Sequence, residues 1–277
     1  MAYGFETFKT RIEDGVLFAA ISSPPLNLIG PEFVSDLLAL MDRLDADDEI
    51  QVVVFSSTDP EFFIPHVDVA RIAEYGKATA KLTGSLSGSL GGVFRRLSEI
   101  RQITIAQVEG FARGAGSEFA LACDMRFAAR ETAVFGQIEA GFGAVPGAGA
   151  VQHLTRLLGR GRAMEVILSS GDFDADLAER YGWINRAMPQ AELEGFVTAL
   201  AVRIAKFPVS GLTANKRRIN DISLPAFADV RTDAALFPQT ISSPRGQART
   251  KELFDAGMQT RGDVERDFAG AIGRLKS

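Results

Sequence analysis

The chain has 277 residues, 46% of them hydrophobic, which fits one large domain or a core with a small appendage. Its formal net charge of −5, without a long basic run, argues against a nucleic-acid-binding surface. No stretch approaches about 18 consecutive apolar residues, and the first ten residues lack the pattern of a signal peptide, so we expect no membrane association. The single cysteine, Cys123, rules out an internal disulfide and suits a reducing compartment, which predicts a cytoplasmic protein.

The N-terminal part predicts a strand, a helix and a second strand. Residues 14–21 form an apolar run that ends at a proline-punctuated loop. Pro31 then opens an amphipathic helix that ends near residues 45–48, because proline is tolerated in the first helical turn. Residues 50–56 are a continuous run rich in β-branched side chains. A strand, helix and strand over about forty residues predict a right-handed crossover between two parallel strands.

Residues 77–99 combine two patterns. The first half is rich in glycine and serine, which predicts a mobile segment. In the second half, apolar side chains from Leu90 to Leu97 recur at helical spacing, which predicts a helix.

The most informative stretch is residues 110–124, with the sequence GFARGAGSEFALACD. Residues 103–110 predict a buried strand and residues 117–124 a helix, with a glycine-rich turn between them. Such a turn directs unpaired backbone N–H groups and the positive end of a helix at whatever lies in front of it. A phosphate or an oxyanion is the natural guest.

Several interpretations of this turn compete. A dinucleotide-binding turn would need a third glycine where Phe119 stands, and a nucleophile elbow around Ser117 would need glycine in place of Ala115 and Phe119. An oxyanion hole beside Glu118 fits the spacing. A tight turn in which Glu118 only interacts favourably with the helix dipole remains open.

The rest of the chain alternates short strands with helices and then becomes helical. The repeated strand, strand, helix pattern indicates a spiral α/β core. We expect strands at 125–129, 133–135 and 183–187, and helices at 154–169, 193–207, 211–220, 248–257 and 262–275.

Two linked motifs resemble the enoyl-CoA hydratase/isomerase (crotonase) superfamily. The family pattern GxAxGGGxExAxxCDxR is matched here by Gly110, Ala112, Gly114, Ala115, Gly116, Glu118, Ala120, Cys123, Asp124 and Arg126. The following pattern, FxxPExxxGxxPxxGxxxxLxRxxG, is matched by Phe135, Glu139, Gly143, Pro146, Gly149, Leu154, Arg156 and Gly159, with Ile138 in place of the family proline.

The resemblance implies the fold and the assembly. It implies an α/β, crotonase-like spiral of β-β-α units over residues 1–190 that carries the acyl-CoA site. Residues 191–277 would form a helical C-terminal portion that covers this site and builds a homotrimer or a dimer of trimers. The implied ligand is an acyl-CoA thioester, and no metal or redox cofactor is expected.

The resemblance also implies the catalytic residues. Glu118 and Glu139 would divide the proton transfers of a hydratase, which adds water across the double bond of an enoyl-CoA. The backbone N–H groups of Val67 and Ala115 would form the oxyanion hole. Relatives that share the enolate but catalyse isomerisation, thioester hydrolysis or carbon–carbon cleavage remain alternatives, as does a scaffold that binds acyl-CoA without turnover.

Substrate contacts are expected from Pro65, His66, Asp68, Gly114, Gly143 and Lys216. His66 replaces a family glycine, so the loop could be rebuilt, because histidine reaches a positive φ less readily. We expect His66, as a lone loop histidine, to be solvated. A serine-hydrolase triad of Ser117, His66 and Asp68 is conceivable, although the spacing does not favour it. Lys216 belongs to a basic cluster that either is a solvated helix face or meets a CoA phosphate or a neighbouring subunit.

Overall fold

A computed structural model describes residues 3–79 and 88–276, and in this part of the chain ten strands form two sheets. The strands are β1 (Phe8–Glu13), β2 (Val16–Ile21), β3 (Val52–Ser57), β4 (Phe62–Ile64), β5 (Ile103–Val108), β6 (Phe111–Arg113), β7 (Met125–Ala129), β8 (Val134–Gly136), β9 (Asp172–Asp174) and β10 (Arg186–Met188). One sheet has the order β1-β2-β3-β5-β7-β10 and the other β4-β6-β8-β9. All neighbouring strands are parallel except β1 with β2 and β8 with β9.

The helices of the described residues follow these strands. They are α1 (Pro31–Asp45), α2 (Tyr75–Ala78), α3 (Leu90–Glu99), α4 (Ala115–Ala122), α5 (Ala150–Leu158), α6 (Arg160–Ser169), α7 (Ala175–Tyr181), α8 (Gln190–Ala205), α9 (Val209–Ser223), α10 (Phe227–Ile241), α11 (Pro244–Asp255), α12 (Asp263–Arg266) and α13 (Phe268–Gly273). Two 3-10 segments, Val69–Glu74 and Glu139–Phe142, lie beside the site described below.

The sheet order confirms the predicted spiral of β-β-α units. The pairs β3 and β4, β5 and β6, and β7 and β8 each contribute one strand to each sheet, and each pair is followed by helices. The turn between β5 and α4 differs from the prediction. It contains the short strand β6, which pairs with β4 and β8 and so carries the turn into the second sheet.

Several other elements also differ from the sequence prediction. β1 pairs with β2 as an unpredicted hairpin, and α10 falls in a segment where no helix was expected. The helix predicted at 154–169 is two helices, α5 and α6, which meet at Gly159. The helix predicted at 262–275 is likewise split into α12 and α13. The predicted mobility of the segment after Lys77 concerns residues 80–87, which lie outside the described residues.

The core lies on both faces of the larger sheet. On one face the sheet packs against α1, α3 and α4 through aromatic side chains such as Phe33, Phe94 and Phe119. On the other face α8 contributes Leu193 and Val197, which pack against β-branched residues of β2 and β3. The division at residue 190 therefore stays a prediction, because α8 shares a core with the sheet that precedes it.

The C-terminal segment folds back onto the second sheet. Phe268 and Ile272 of α13 pack with Ile138 and Phe142 in a separate apolar cluster. Arg113 on β6 is fully buried and donates to the carbonyl oxygens of Glu265 at 2.7 Å and Arg266 at 3.3 Å. Its guanidinium also binds Asp172 through two hydrogen bonds of 2.6 and 2.8 Å. The segment of residues 265–272 is thus attached to the second sheet and to β6, the strand that leads into the glycine-rich turn.

Among residues 3–79 and 88–276, no single helix is both long and apolar enough to cross a membrane. The consecutive helices α8 and α9 have a sufficient length and apolar composition only when taken together, and they are bent by 110° at the break between them. Within the same ranges, no group of three or more His, Cys, Asp or Glu side chains is arranged to hold a metal ion.

Candidate active site

The glycine-rich turn positions α4 through two glycines. Gly114 has φ +50°, a conformation that side chains rarely adopt, and a Cβ atom here would lie 2.9 Å from Oε1 of Glu139. A Cβ on Gly116 would lie 1.9 Å from the carbonyl oxygen of Ile64 at the end of β4. The start of α4 can therefore touch the backbone of β4 and leave room for the Glu139 carboxylate only because both residues are glycine.

A mostly apolar cavity of about 240 Å³ opens in front of this turn. It brings together Glu118, Glu139, Val67 and Ala115, the four residues predicted to carry the chemistry. The remaining described wall is mainly aliphatic and aromatic, and its larger side chains are Ile72, Tyr75, Leu90, Ile138, Phe142, Phe237, Ile241 and Met258. An apolar chain with a polar reacting end would suit such a cavity.

Val67 and Ala115 are suited to serve as backbone donors. Ala115 is the first residue of α4, so its N–H group has no partner within the helix. The carbonyl oxygens of His66 and Ile29 accept from the N–H groups of Ile29 and Asp68, which fixes the backbone on both sides of Val67. Across residues 3–79 and 88–276, no acceptor is recorded for the N–H of Val67 or Ala115. Two free donors at one cavity are what an oxyanion hole requires.

Glu118 is held by the N-terminal end of α5. Its Oε1 accepts hydrogen bonds from the backbone N–H of Ala148 at 2.8 Å and of Ala150 at 3.0 Å. Burial raises the pKa of Glu118 to about 7, although these two N–H groups favour the charged form. The N–H groups of Ala148 and Ala150 thus support a negative charge on Glu118.

Glu139 sits on the 3-10 segment that begins after Ile138. Burial, together with the nearby charge of Glu118, raises the pKa of Glu139 to about 8. Its Oε2 accepts from the Gln137 side-chain amide at 3.2 Å. Since the two carboxyl groups share the cavity, they titrate as a pair, and Glu139 retains the proton when Glu118 is ionised.

His66 is buried, so the expectation that it is solvated was wrong. Its side chain is 2% exposed, and Nε2 lies 3.1 Å from each carboxylate oxygen of Glu265, which is itself fully buried. Its Nδ1 lies 2.6 Å from the carbonyl oxygen of Val67. A carbonyl and an ionised carboxylate only accept hydrogen bonds, so the geometry lets both ring nitrogens of His66 donate, one to Val67 and one to Glu265.

This arrangement also excludes the serine-hydrolase triad. Both nitrogens of His66 are occupied, and the Oδ1 atom of Asp68 accepts from the Gln259 side chain at 2.8 Å. The Ser117 hydroxyl is buried without a recorded partner in the described structure. The loop at His66 is not rebuilt through a positive φ either, because His66 is absent from the residues with that conformation.

Five of the predicted substrate-binding residues lie at or near the cavity. His66 lines it, and Gly114 lies against the Glu139 carboxylate. Pro65 is buried in the loop that leads to His66, while Asp68 and Gly143 cap the two 3-10 segments. Their contacts with a substrate stay predictions.

Lys216 lies apart from the cavity that holds the two glutamates. Its ammonium group is buried and donates to Oδ2 of Asp124 at 2.8 Å and to the carbonyl oxygen of Gln102 at 2.7 Å. The alternative of a solvated helix face is therefore wrong for this residue, because its ion pair anchors α9 to the start of β7. The substrate contact of Lys216 stays a prediction.

Sequence reasoning missed Glu265 and the backbone donors at Ala148 and Ala150. Glu265 is 199 residues away from His66, and no local pattern around it indicates a buried partner. A lone glutamate in a short polar helix is normally exposed, so the sequence carried no usable signal for it.

Comparison with known proteins agrees with the geometry. The family model for enoyl-CoA hydratase/isomerase matches residues 11–255. The short-chain-enoyl-CoA hydratase of Clostridium acetobutylicum is 31% identical over 209 residues, which cover 75% of this chain and 78% of the relative. The crotonyl-CoA hydratase of Syntrophomonas wolfei is 31% identical over 74% of this chain and 76% of its own. A crystal structure of a provisionally named enoyl-CoA hydratase from Streptomyces avermitilis is 56% identical, covers 100% of both chains and superposes with a TM-score of 0.97. The chain therefore belongs to the enoyl-CoA hydratase/isomerase family.

Proposed function

We propose that this enzyme is an enoyl-CoA hydratase that adds water across the α,β double bond of an enoyl-CoA thioester. The observation that carries the proposal is the convergence of two buried glutamates and two free backbone N–H groups on one apolar cavity. The names of the relatives, which include a short-chain-enoyl-CoA hydratase and a crotonyl-CoA hydratase, support the same reaction.

The different environments of the two glutamates assign their roles. Glu118, stabilised by the N–H groups of Ala148 and Ala150, takes a proton from water while the water oxygen bonds to the β carbon. Electrons of the double bond move to the thioester oxygen, and the resulting enolate is stabilised by the N–H groups of Val67 and Ala115. Glu139, which holds the proton of the pair, transfers it to the α carbon.

After one turnover the proton has changed places. Glu118 is protonated and Glu139 is ionised, so one proton must pass back within the pair or through solvent before the next cycle. The addition neither oxidises nor reduces the substrate, and we propose that it uses no metal or redox cofactor. The scaffold alternative depended on a disrupted loop at residues 64–66, whereas this loop keeps Val67 at the cavity.

The direct test is substitution of each glutamate. Glu118→Gln and Glu139→Gln should each lower the kcat for hydration of a short enoyl-CoA by at least about 100-fold, the lower scale of general acid–base catalysis. Binding of the saturated acyl-CoA should change far less. The assay follows the loss of absorbance of the conjugated thioester. Normal hydration by both variants, or no hydration by wild type over a broad enoyl-CoA panel, would refute the mechanism.

We also propose that the enzyme is a homotrimer or a dimer of trimers. Every strongly exposed large apolar side chain in the described ranges lies between residues 157 and 222. They are Leu157, Met164, Leu168, Phe207, Val209, Ile219 and Ile222. Leu157, Phe207 and Ile219 among them line one cleft, and exposed apolar side chains that lie together are typical of a surface that another subunit covers.

Light scattering tests this assembly. The mass should be three or six times the chain mass of 29.8 kDa. Ile222→Asp, at the most exposed of these positions, should shift the protein toward the monomer, whereas a charge reversal at the exposed Lys251 should not. A wild-type protein that is only a monomer would contradict the proposal.

A further inference from the structure

We propose that Glu265 is a positioning residue for the oxyanion hole: through His66 it holds the loop that presents the Val67 N–H group to the substrate carbonyl. This inference rests on the proposed function, since it assigns a task to a residue outside the reacting pair.

The side chain of His66 is in contact with the backbone of Val67. The Nδ1–H group of His66 donates to the carbonyl oxygen of the adjacent residue Val67 at 2.6 Å. The bond from the ring restricts the peptide unit after Val67, whose Asp68 N–H also donates to the carbonyl oxygen of Ile29, while the peptide unit before Val67 is held by the bond from the Ile29 N–H to the His66 carbonyl oxygen. The orientation of the imidazole ring therefore bears directly on the backbone of Val67.

Residues of the C-terminal segment hold the imidazole ring of His66 in place. Glu265 faces Nε2 of His66 with both carboxylate oxygens, and Phe268 packs against the ring with 5.3 Å between centroids. Glu265 is fixed in turn, because Oε1 accepts from the Gln259 N–H at 2.7 Å. Its own carbonyl oxygen accepts from the buried Arg113 guanidinium. The acceptor for His66 is thus built into a rigid corner.

His66 stands where the family pattern has a glycine. A bulky residue there needs a defined place for its side chain, and a charged ring needs an opposite charge when it is buried. Glu265 supplies both. The same segment also contributes Met258 to the cavity wall, so the docking of residues 258–268 completes the acyl cavity and orients one oxyanion donor together.

The test uses two variants of Glu265 and a matched control in the same segment. Glu265→Ala removes the acceptor, whereas Glu265→Gln keeps a neutral hydrogen-bonding group in the same place. The control is Arg261→Ala, which breaks the exposed contacts of Arg261 with Asp59 and Glu61 but leaves Glu265 and His66 untouched.

Two readouts separate positioning from general loss of structure. The first is the split between kcat for hydration and the affinity for butyryl-CoA. The second is the ¹³C chemical shift of the thioester carbonyl in bound butyryl-CoA, which reports hydrogen bonding to that oxygen. Circular dichroism confirms that each variant is folded.

We expect Glu265→Ala to lower kcat at least about tenfold, with less than a threefold change in butyryl-CoA affinity and a carbonyl shift moved toward its value in water. Glu265→Gln should recover at least a third of the wild-type kcat, and Arg261→Ala should match wild type in both readouts. If Glu265→Ala does not fold, the carbonyl shift of Glu265→Gln decides, and it should lie between the values for wild type and free butyryl-CoA.

The outcomes separate this inference from the proposed function. Wild-type hydration and carbonyl shift in a folded Glu265→Ala protein, or a wild-type shift in Glu265→Gln where the alanine variant is unfolded, would overturn the positioning role. A wild-type enzyme that binds butyryl-CoA but hydrates no enoyl-CoA would overturn the proposed function, while a changed carbonyl shift in the Glu265 variants would still support the positioning role.

Discussion

Glu139 and Glu265 are both buried carboxyl groups, yet their surroundings favour different charge states, the neutral acid at Glu139 and the carboxylate at Glu265. Burial and the neighbouring Glu118 raise the pKa of Glu139. Burial also opposes ionisation of Glu265, but the charge and hydrogen bond of His66 and the N–H of Gln259 outweigh it, so its pKa lies below the ordinary value. The comparison teaches that burial alone does not set the charge of a glutamate, because the facing group decides the sign of the shift.

The functional consequence follows from the same difference. A glutamate that binds its proton near neutral pH can give and take it during turnover, which suits Glu139 and Glu118 to acid–base catalysis. A glutamate whose pKa lies below the ordinary value stays ionised at neutral pH, so it is not suited to proton transfer there, but it can hold a neighbour in place. Glu265 therefore belongs to the support of the site.

We expect the largest effect from removing His66, the group that lowers the pKa of Glu265. His66→Ala leaves the Glu265 charge buried without a counter-ion, so the free energy of unfolding should fall by about 3 to 5 kcal/mol. Urea denaturation measures the change. Arg261→Ala, which breaks an exposed ion pair, should cost less than about 1 kcal/mol.

A compensating variant sharpens this test. In the His66→Ala background, Glu265→Gln removes the unpaired charge and should restore part of the lost stability. If His66→Ala is no more destabilising than Arg261→Ala, the pairing of His66 with Glu265 does not have the energetic weight given to it here.

A smaller effect should appear in the pH dependence of stability. The folded pKa of Glu139 is raised, so its stabilising contribution is complete below the unfolded value of about 4.5 and is lost as pH rises toward about 8. Glu139→Gln should therefore raise the melting temperature relative to wild type more at pH 9 than at pH 5, by about 2 °C or more.

Glu265→Gln should show the opposite trend. The folded pKa of Glu265 is lowered, so its contribution is present above the unfolded value and is lost as pH falls through the folded one. The variant should be less stable than wild type at pH 7, and this gap should shrink on acidification. Differential scanning calorimetry at several pH values checks both trends, and identical trends for the two variants would erase the contrast.

The parts of the fold that local pattern controls were accessible from the sequence. Pro31 and the apolar spacing after it predicted a helix that ends near residues 45–48, and α1 confirms this by ending at Asp45. The run of β-branched residues predicted the strand that is β3. The glycine turn and a helix after it also followed from motif and spacing, although α4 spans Ala115–Ala122 and not the predicted residues 117–124. In these segments, side-chain periodicity and backbone constraints act within a few residues, which is the range that a sequence pattern reports.

β1 was missed although its side chains alternate regularly between buried or half-buried and exposed along Phe8–Glu13, and it pairs with β2 across the turn at Asp14 and Gly15. Other features depend on contacts that no local pattern encodes. The helix α10 contains Pro238, a residue that argues against a helix interior. His66 could not be recognised as buried, because its partner and the ring that covers it, Phe268, come some 200 residues later.

The distance along the chain between His66 and Glu265 bears on how the enzyme matures. During synthesis, β4 and the glycine turn leave the ribosome long before residues 258–268, and segments that emerge early begin to fold first. A nascent chain that still lacks residues 258–268 has neither the Met258 side chain of the acyl cavity nor the carboxylate that faces His66. The site can therefore be assembled only after this segment has been synthesised, well after the residues of the acid–base pair.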